Sequence, residues 1–144
     1  MDIIREFRGA YRWLSNFWYV PIEYEGMIYP TTEHAYQAAK TKDIHDRILI
    51  SELPTPRLAR QAGQTLDIRP DWEEIKIDVM MEVTRKKFED SLLRTALLST
   101  GDAILQEGNT WGDVFWGIDL CTETGQNNLG KILMQVRDEI RRKE

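Results

Sequence analysis

The C-terminal segment constrains the fold most. Leu129, Ile132, Leu133, Val136 and Ile140 recur at i, i+3, i+4, i+7 and i+11, a spacing that puts apolar side chains on one face of an α-helix. Such a face must be covered by another element. Asp71 opens a longer helical pattern, Trp72, Ile75, Val79, Met80 and Val83, continuing toward Phe88. Leu92, Leu93, Ala96 and Leu97 suggest a further helix ending at Gly101. Shorter helices are read at Ile44 to Ile50, capped by Asp43, and from Thr55-Pro56 through Gln61, closed by Gly63, since Pro suits the first helical position and Gly the end. Strand formers cluster in the first thirty residues, which read as strands and turns. Phe17-Trp18-Tyr19-Val20 and Met27-Ile28-Tyr29 flank a turn-like Glu25-Gly26, and Ala103-Ile104-Leu105 reads as a strand. Gly108 to Gln126 reads as irregular. No repeat or convincing linker divides the chain. The pattern predicts a single α+β domain over residues 1–144, mostly helical around a small β-sheet.

A helix predicted from Thr31 to Lys42 carries the most chemistry. Thr31 or Thr32 can cap it, with Pro30 just before and an Ala-rich run after. Glu33, Gln37 and Lys40 then fall at i, i+4 and i+7 on one stripe. A carboxylate near a helix N-terminus is favoured by the helix dipole. That placement suits a general base, or a group that stabilises positive charge in a reaction. An ordinary solvated Glu–Lys stripe would have the same spacing. His34 and Tyr36 alone read as packing or surface residues.

Three other stretches stand out. Gly108-Asn109-Thr110-Trp111-Gly112-Asp113-Val114-Phe115-Trp116-Gly117 joins two Trp-Gly pairs to an acid. Glycine admits close approach of a ligand and tryptophan offers a stacking face; a Trp-anchored turn closing the core is the other reading. Asp113 among aromatics is a candidate for acid–base work. Gly125-Gln126-Asn127-Asn128-Leu129-Gly130-Lys131 precedes the last helix. It could expose backbone N–H groups to an anion such as phosphate, or simply cap the helix. Ser15-Asn16, inside Trp13-Leu14-Ser15-Asn16-Phe17-Trp18, is either a turn or a polar pair facing a ring ligand.

Several function classes are excluded. There is no Walker A loop, Gly-x-Ser-x-Gly elbow or His-Glu-x-x-His motif. One cysteine and two histidines argue against a disulfide and against structural zinc. The N-terminal residues lack a signal-peptide pattern and no apolar run is long enough to span a bilayer, so a cytoplasmic protein without membrane association is expected. The net charge of −5 disfavours tight nonspecific nucleic-acid binding and leaves a small anionic ligand or single nucleotide open. Arg57, Arg60 and Arg69 form one local basic patch. Arg137, Arg141, Arg142 and Lys143, interleaved with acids, read as a solvated helix end.

Together these stretches resemble the YbiA-like NADAR family. The resemblance runs through Leu14-Ser15-Asn16-Phe17, Pro30 to Lys40, Trp72 through Met80 to Phe88, Trp111-Gly112-Asp113, and Asn127 to Met134. These blocks keep the family order and span nearly the whole chain. The resemblance implies the YbiA-like fold and an N-glycosidase. Its substrate would be a small phosphoribosyl or ADP-ribosyl compound: a ribosylamino-pyrimidine of the riboflavin pathway, or ADP-ribosylated guanine, including ADP-ribosylated nucleic acid. Glu33, Lys40 and Asp113 match the family's ionisable positions. Ser15, Asn16, Phe17, His34, Gln37, Trp111, Gly112, Asn127 and Asn128 would line the substrate site. Such hydrolysis needs only water, so no cofactor and no metal is expected.

Glu33 and Asp113 could divide acid–base work, and a desolvated Lys40 could form a Schiff base with an opened ribose. Two other readings share the residues. A non-catalytic module would bind ADP-ribose or a nucleotide without turnover, and a purely structural domain would leave the three ionisable groups apart.

Overall fold

The computed structural model describes residues 2–144; Met1, the first residue of the predicted domain, lies outside them. The chain is α+β and about half helical, but among the described residues its β-structure is three two-stranded ladders rather than one sheet. It divides into two compact units, Asn16–Lys87 and the segments up to Ser15 and from Phe88 to Glu144. No helix among the described residues is long and apolar enough to cross a membrane.

The Asn16–Lys87 unit begins with a hairpin of β2 (Tyr19–Tyr24) and β3 (Met27–Thr31). Glu25 and Gly26 both have positive φ, 48° and 84°, the requirement of a type I′ hairpin turn. Phe17 and Trp18, read as strand, lie in turns ahead of β2. Pro21 cannot donate to the ladder, and the register shifts between Tyr19 and Ile22. Four helices follow: α1 (Thr32–Ala38), α2 (Ile44–Glu52), α3 (Pro56–Gly63) and α4 (Trp72–Lys87). Asp43 caps α2 and Thr55 caps α3. Ile22, Tyr29, Ala35, Ala38, Ile50, Ala59, Met80 and Val83 form the core of this unit.

The predicted Thr31–Lys42 helix is shorter. α1 ends at Ala38, and the chain tightens into i→i+3 bonds, Lys40 N to Gln37 O and Thr41 N to Ala38 O. The carbonyls beyond it are taken from afar. Arg69 N donates to Lys40 O at 2.8 Å and Arg47 Nε to Thr41 O at 2.8 Å. Lys40 therefore follows the helix instead of riding on its stripe.

In the other unit, β1 (Ile3–Ile4) pairs in parallel with β4 (Ile104–Leu105). A 3-10 helix, Gly9–Leu14, occupies part of the region read as strands and turns. Helices α5 (Ser91–Ser99) and α6 (Asn128–Arg142) supply Leu93, Leu97, Leu129, Ile132, Leu133 and Val136 to the core, with Leu14, Phe88 and Leu105. Leu92, one of the residues that suggested α5, is 81% exposed. The region read as irregular contains a second parallel pair, β5 (Gly108–Asn109) and β6 (Ile118–Asp119). Arg137 is buried, not solvated: its guanidinium donates to Thr100 Oγ1 at 2.8 Å and Ala103 O at 2.9 Å. Arg141 likewise bonds Asp102 Oδ1 and Gly101 O.

Candidate active site

Thr31 starts α1. Its Oγ1 accepts from His34 N at 3.1 Å, satisfying one of the free N–H groups of the first turn. The cap sets the rotation of the helix and so turns Glu33 inward, where it is only 4% exposed. A buried carboxylate needs partners, and Glu33 has them on both oxygens. Gln37 Nε2, one turn later, donates to Oε2 at 2.6 Å. Arg60 Nη2, from α3, donates to Oε1 at 3.0 Å. The backbone N–H of Glu33 donates to Asn16 O at 3.2 Å.

Asn16 and Phe17 brace this centre from the turn before β2. Thr32 Oγ1 lies within hydrogen-bonding reach of both Asn16 O and Asn16 Oδ1, and Asn16 Nδ2 donates to Met80 Sδ at 3.5 Å. The Arg60 guanidinium lies 4.7 Å from the centroid of the Phe17 ring, a cation–π distance. Lys40 completes the cluster. Its ammonium is 5.6 Å from the centroid of Tyr36, whose ring packs 5.1 Å from Trp72. Burial lowers the Lys40 pKa; the Glu33 charge opposes the shift and the charges of Arg60 and Lys76 add to it. The cluster thus offers a buried acceptor, a fixed cation and an amine whose neutral form is favoured by desolvation.

His34 is bound up in structure. Its Nε2 lies 2.9 Å from Leu53 O, which can only accept, and its Nδ1 lies 2.7 Å from Thr31 Oγ1. Leu53 O therefore fixes a proton on Nε2, and in the neutral ring Nδ1 accepts from the Thr31 hydroxyl. Burial lowers the His34 pKa in the same sense.

The remaining candidates belong to the other unit. Trp111 is 55% exposed and does not anchor the core, whereas Trp116 is half-buried with its ring edge-on to Phe115. Gly112 has φ 81°, a conformation that glycine adopts without strain. Asp113 Oδ1 accepts from the N–H of Phe115 at 3.1 Å and of Trp116 at 2.9 Å, so this carboxylate folds its own turn. Ser15 closes the 3-10 helix through its N–H to Arg12 O. Asn127 precedes α6 in the left-handed conformation and makes no side-chain cap. Its Oδ1 accepts from Glu107 N at 3.0 Å and its Nδ2 donates to Leu105 O at 2.9 Å. Asn128 Nδ2 donates to Phe115 O at 2.9 Å.

Asn16, Phe17, Glu33, His34, Gln37 and Lys40 are thus brought together in one unit, and Ser15, Trp111, Gly112, Asp113, Asn127 and Asn128 fall in the other. Arg60 is the residue that the sequence reading missed as a site member, although it lies in the basic patch noted there. Its helix start at Thr55-Pro56 was legible. Its partner, 27 residues away, was not.

Residues 5–141 match the NADAR domain model. N-glycosidase YbiA of Escherichia coli (strain K12) is 38% identical over 129 residues, covering 88% of this chain and 79% of the relative. An N-glycosidase of Nostoc punctiforme is 40% identical over 137 residues, covering 91% of this chain and 86% of the relative. A riboflavin biosynthesis protein of Vibrio vulnificus is 39% identical over 132 residues, which make up 88% of this chain but 35% of that protein. The NMR structure of the E. coli protein YbiA matches with a TM-score of 0.88 at 34% identity, over 99% of this chain and 86% of that one. The chain belongs to the NADAR domain family, and with its N-glycosidase relatives it falls among the hydrolases that act on N-glycosyl bonds.

Proposed function

We propose that this enzyme hydrolyses the bond between C1 of a phosphorylated ribose, or of ADP-ribose, and an amino group on a base-like ring. The observation that carries this reading is the buried Glu33 carboxylate, held at 2.6 Å by Gln37 and 3.0 Å by Arg60. Cleavage of a C1–N bond leaves positive charge on C1 and its ring oxygen while the electron pair departs with nitrogen. A fixed, desolvated carboxylate stabilises that positive charge without reorganising. Water then bonds to C1, and its proton ends on the departing amine. Asp113 is assigned as the second carboxylate in this acid–base work. The Arg60 guanidinium, held over the Phe17 ring beside Glu33, supplies a cation suited to an anionic ribose phosphate.

The riboflavin biosynthesis relative supports a phosphorylated ribosylamino-pyrimidine as the first substrate to assay, beside ADP-ribosylated guanine nucleotide. Release of ribose phosphate and free pyrimidine by the wild type, and not by Glu33→Ala, is the expected result. Release of ADP-ribose alone would move the substrate to ADP-ribosylated guanine. Binding of ADP-ribose without turnover of either compound would replace the enzyme with a binding module.

Lys40 favours a second route through the same bond. With the ribose ring opened, its neutral amine adds to C1, the substrate amine leaves with a proton, and water releases the sugar from the resulting Schiff base. The lowered Lys40 pKa supports this route. Borohydride trapping of a sugar adduct on Lys40 would establish it. Near-normal turnover by both Lys40→Ala and Lys40→Arg would eliminate it.

A further inference from the structure

We propose that Gly63 is a positioning residue for catalysis, acting through Gln37 on Glu33. The proposal rests on the reading of Glu33 as a catalytic carboxylate.

Helix α3 meets the Glu33 centre twice. Arg60 reaches Oε1 directly. One turn later, Gly63 leaves a space that the Gln37 amide fills. A Cβ built on Gly63 would overlap Gln37 Oε1 and lie 2.7 Å from its Cδ. Gly63 is helical and its φ is not in the left-handed region, so glycine is needed there for room and not for backbone conformation.

Gln37 Oε1 is buried and has no hydrogen-bond partner. Rotating the amide would set its carbonyl against the Glu33 carboxylate. The observed orientation therefore leaves an acceptor unsatisfied to keep the 2.6 Å donor on Glu33 Oε2. The atoms that a Cβ would strike are the far end of a flexible side chain. The amide would yield before the backbone did, and Glu33 would lose one of its two donors. Alanine is also a better helix former than glycine, so the substitution should move activity without a matching loss of fold.

The test is steady-state kinetics of the full chain on the phosphorylated ribosylamino-pyrimidine, or on ADP-ribosylated guanine nucleotide if that is the compound turned over. The variants are Gly63→Ala, Gln37→Ala, their double variant and Glu33→Gln, each with a melting curve. Gly63→Ala and Gln37→Ala should each lower kcat by roughly 10- to 100-fold, the scale of one hydrogen bond to a charged group. KM should stay within about twofold, because the donor acts on the transition state. The double variant should be no slower than Gln37→Ala alone, since the methyl then fills vacated space. If Gly63→Ala alone folds poorly, the double variant against Gln37→Ala still reads the coupling. Multiplying losses, or wild-type kcat in Gly63→Ala while Glu33→Gln is inactive, would overturn the proposal. Wild-type turnover by Glu33→Gln would instead remove the catalytic reading beneath it.

Discussion

Glu33 and Arg60 form an ion pair that is buried on one side only. Oε1 and Nη2 are 3.0 Å apart, yet the Glu33 side chain is 5% exposed and that of Arg60 43%. Removing Arg60 strands a buried carboxylate, whereas removing Glu33 leaves a cation that water can reach. Arg60→Ala should therefore cost about 1–3 kcal/mol of stability, the penalty for an unsatisfied buried acceptor, and lower kcat as well. Arg60→Lys keeps the charge but loses the planar stack on Phe17, so an intermediate effect is expected. Urea unfolding together with turnover checks both.

The neutral His34 makes stability sensitive to acid. Its folded pKa lies below the ordinary value of 6.5, so below that pH the unfolded chain binds a proton that the folded chain resists. The contribution of His34 is fully present above about pH 6.5. It is lost as pH falls from there through the lowered folded value. Urea midpoints measured from pH 8 to pH 5 should fall in this window, and His34→Gln should flatten that part of the curve.

Asp113 both folds its turn and carries the proposed charge. Asn can replace Oδ1 as acceptor for the Phe115 and Trp116 N–H groups. Asp113→Asn should hold the melting temperature within a few degrees while lowering kcat at least tenfold. Asp113→Ala should lower both. Full activity in Asp113→Asn would reduce Asp113 to a turn residue.

Asn127 should behave as a structural residue. Its two side-chain bonds, to Glu107 N and Leu105 O, stay within its own unit, and φ is 54°. Asn127→Gly keeps that backbone conformation and removes only the side chain. A stability loss of about 1–3 kcal/mol, with little change in KM, is the expected result by urea unfolding and kinetics.

What could be read from the sequence follows from the range of the forces involved. The apolar faces of α4 and α6 repeat locally, so their existence was legible. The Glu25-Gly26 turn and the caps at Thr31, Asp43 and Thr55 were legible for the same reason. The end of α1 was not, because Lys40 continues the spacing and the helix is stopped by Arg69 and Arg47 from elsewhere in the chain. Arg137 looked solvated since its charge hides a burial that Thr100 and Ala103 O make tolerable. Two-residue strands such as β5 and β6 carry no period to detect. At the site, Glu33 and Gln37 are an i, i+4 pair and could be proposed together. Arg60 and Gly63 join them only through tertiary packing.

The most direct test of the account is single-turnover cleavage of the phosphorylated ribosylamino-pyrimidine and of ADP-ribosylated guanine nucleotide by wild type and Glu33→Gln, with melting curves for both proteins. Glu33→Gln preserves side-chain size and removes the charge. The account predicts wild-type release of the free ring amine and a loss of at least about 100-fold in Glu33→Gln, comparable to removal of one preorganised electrostatic group, in a protein that remains folded. Cleavage by folded Glu33→Gln within twofold of wild type would contradict it.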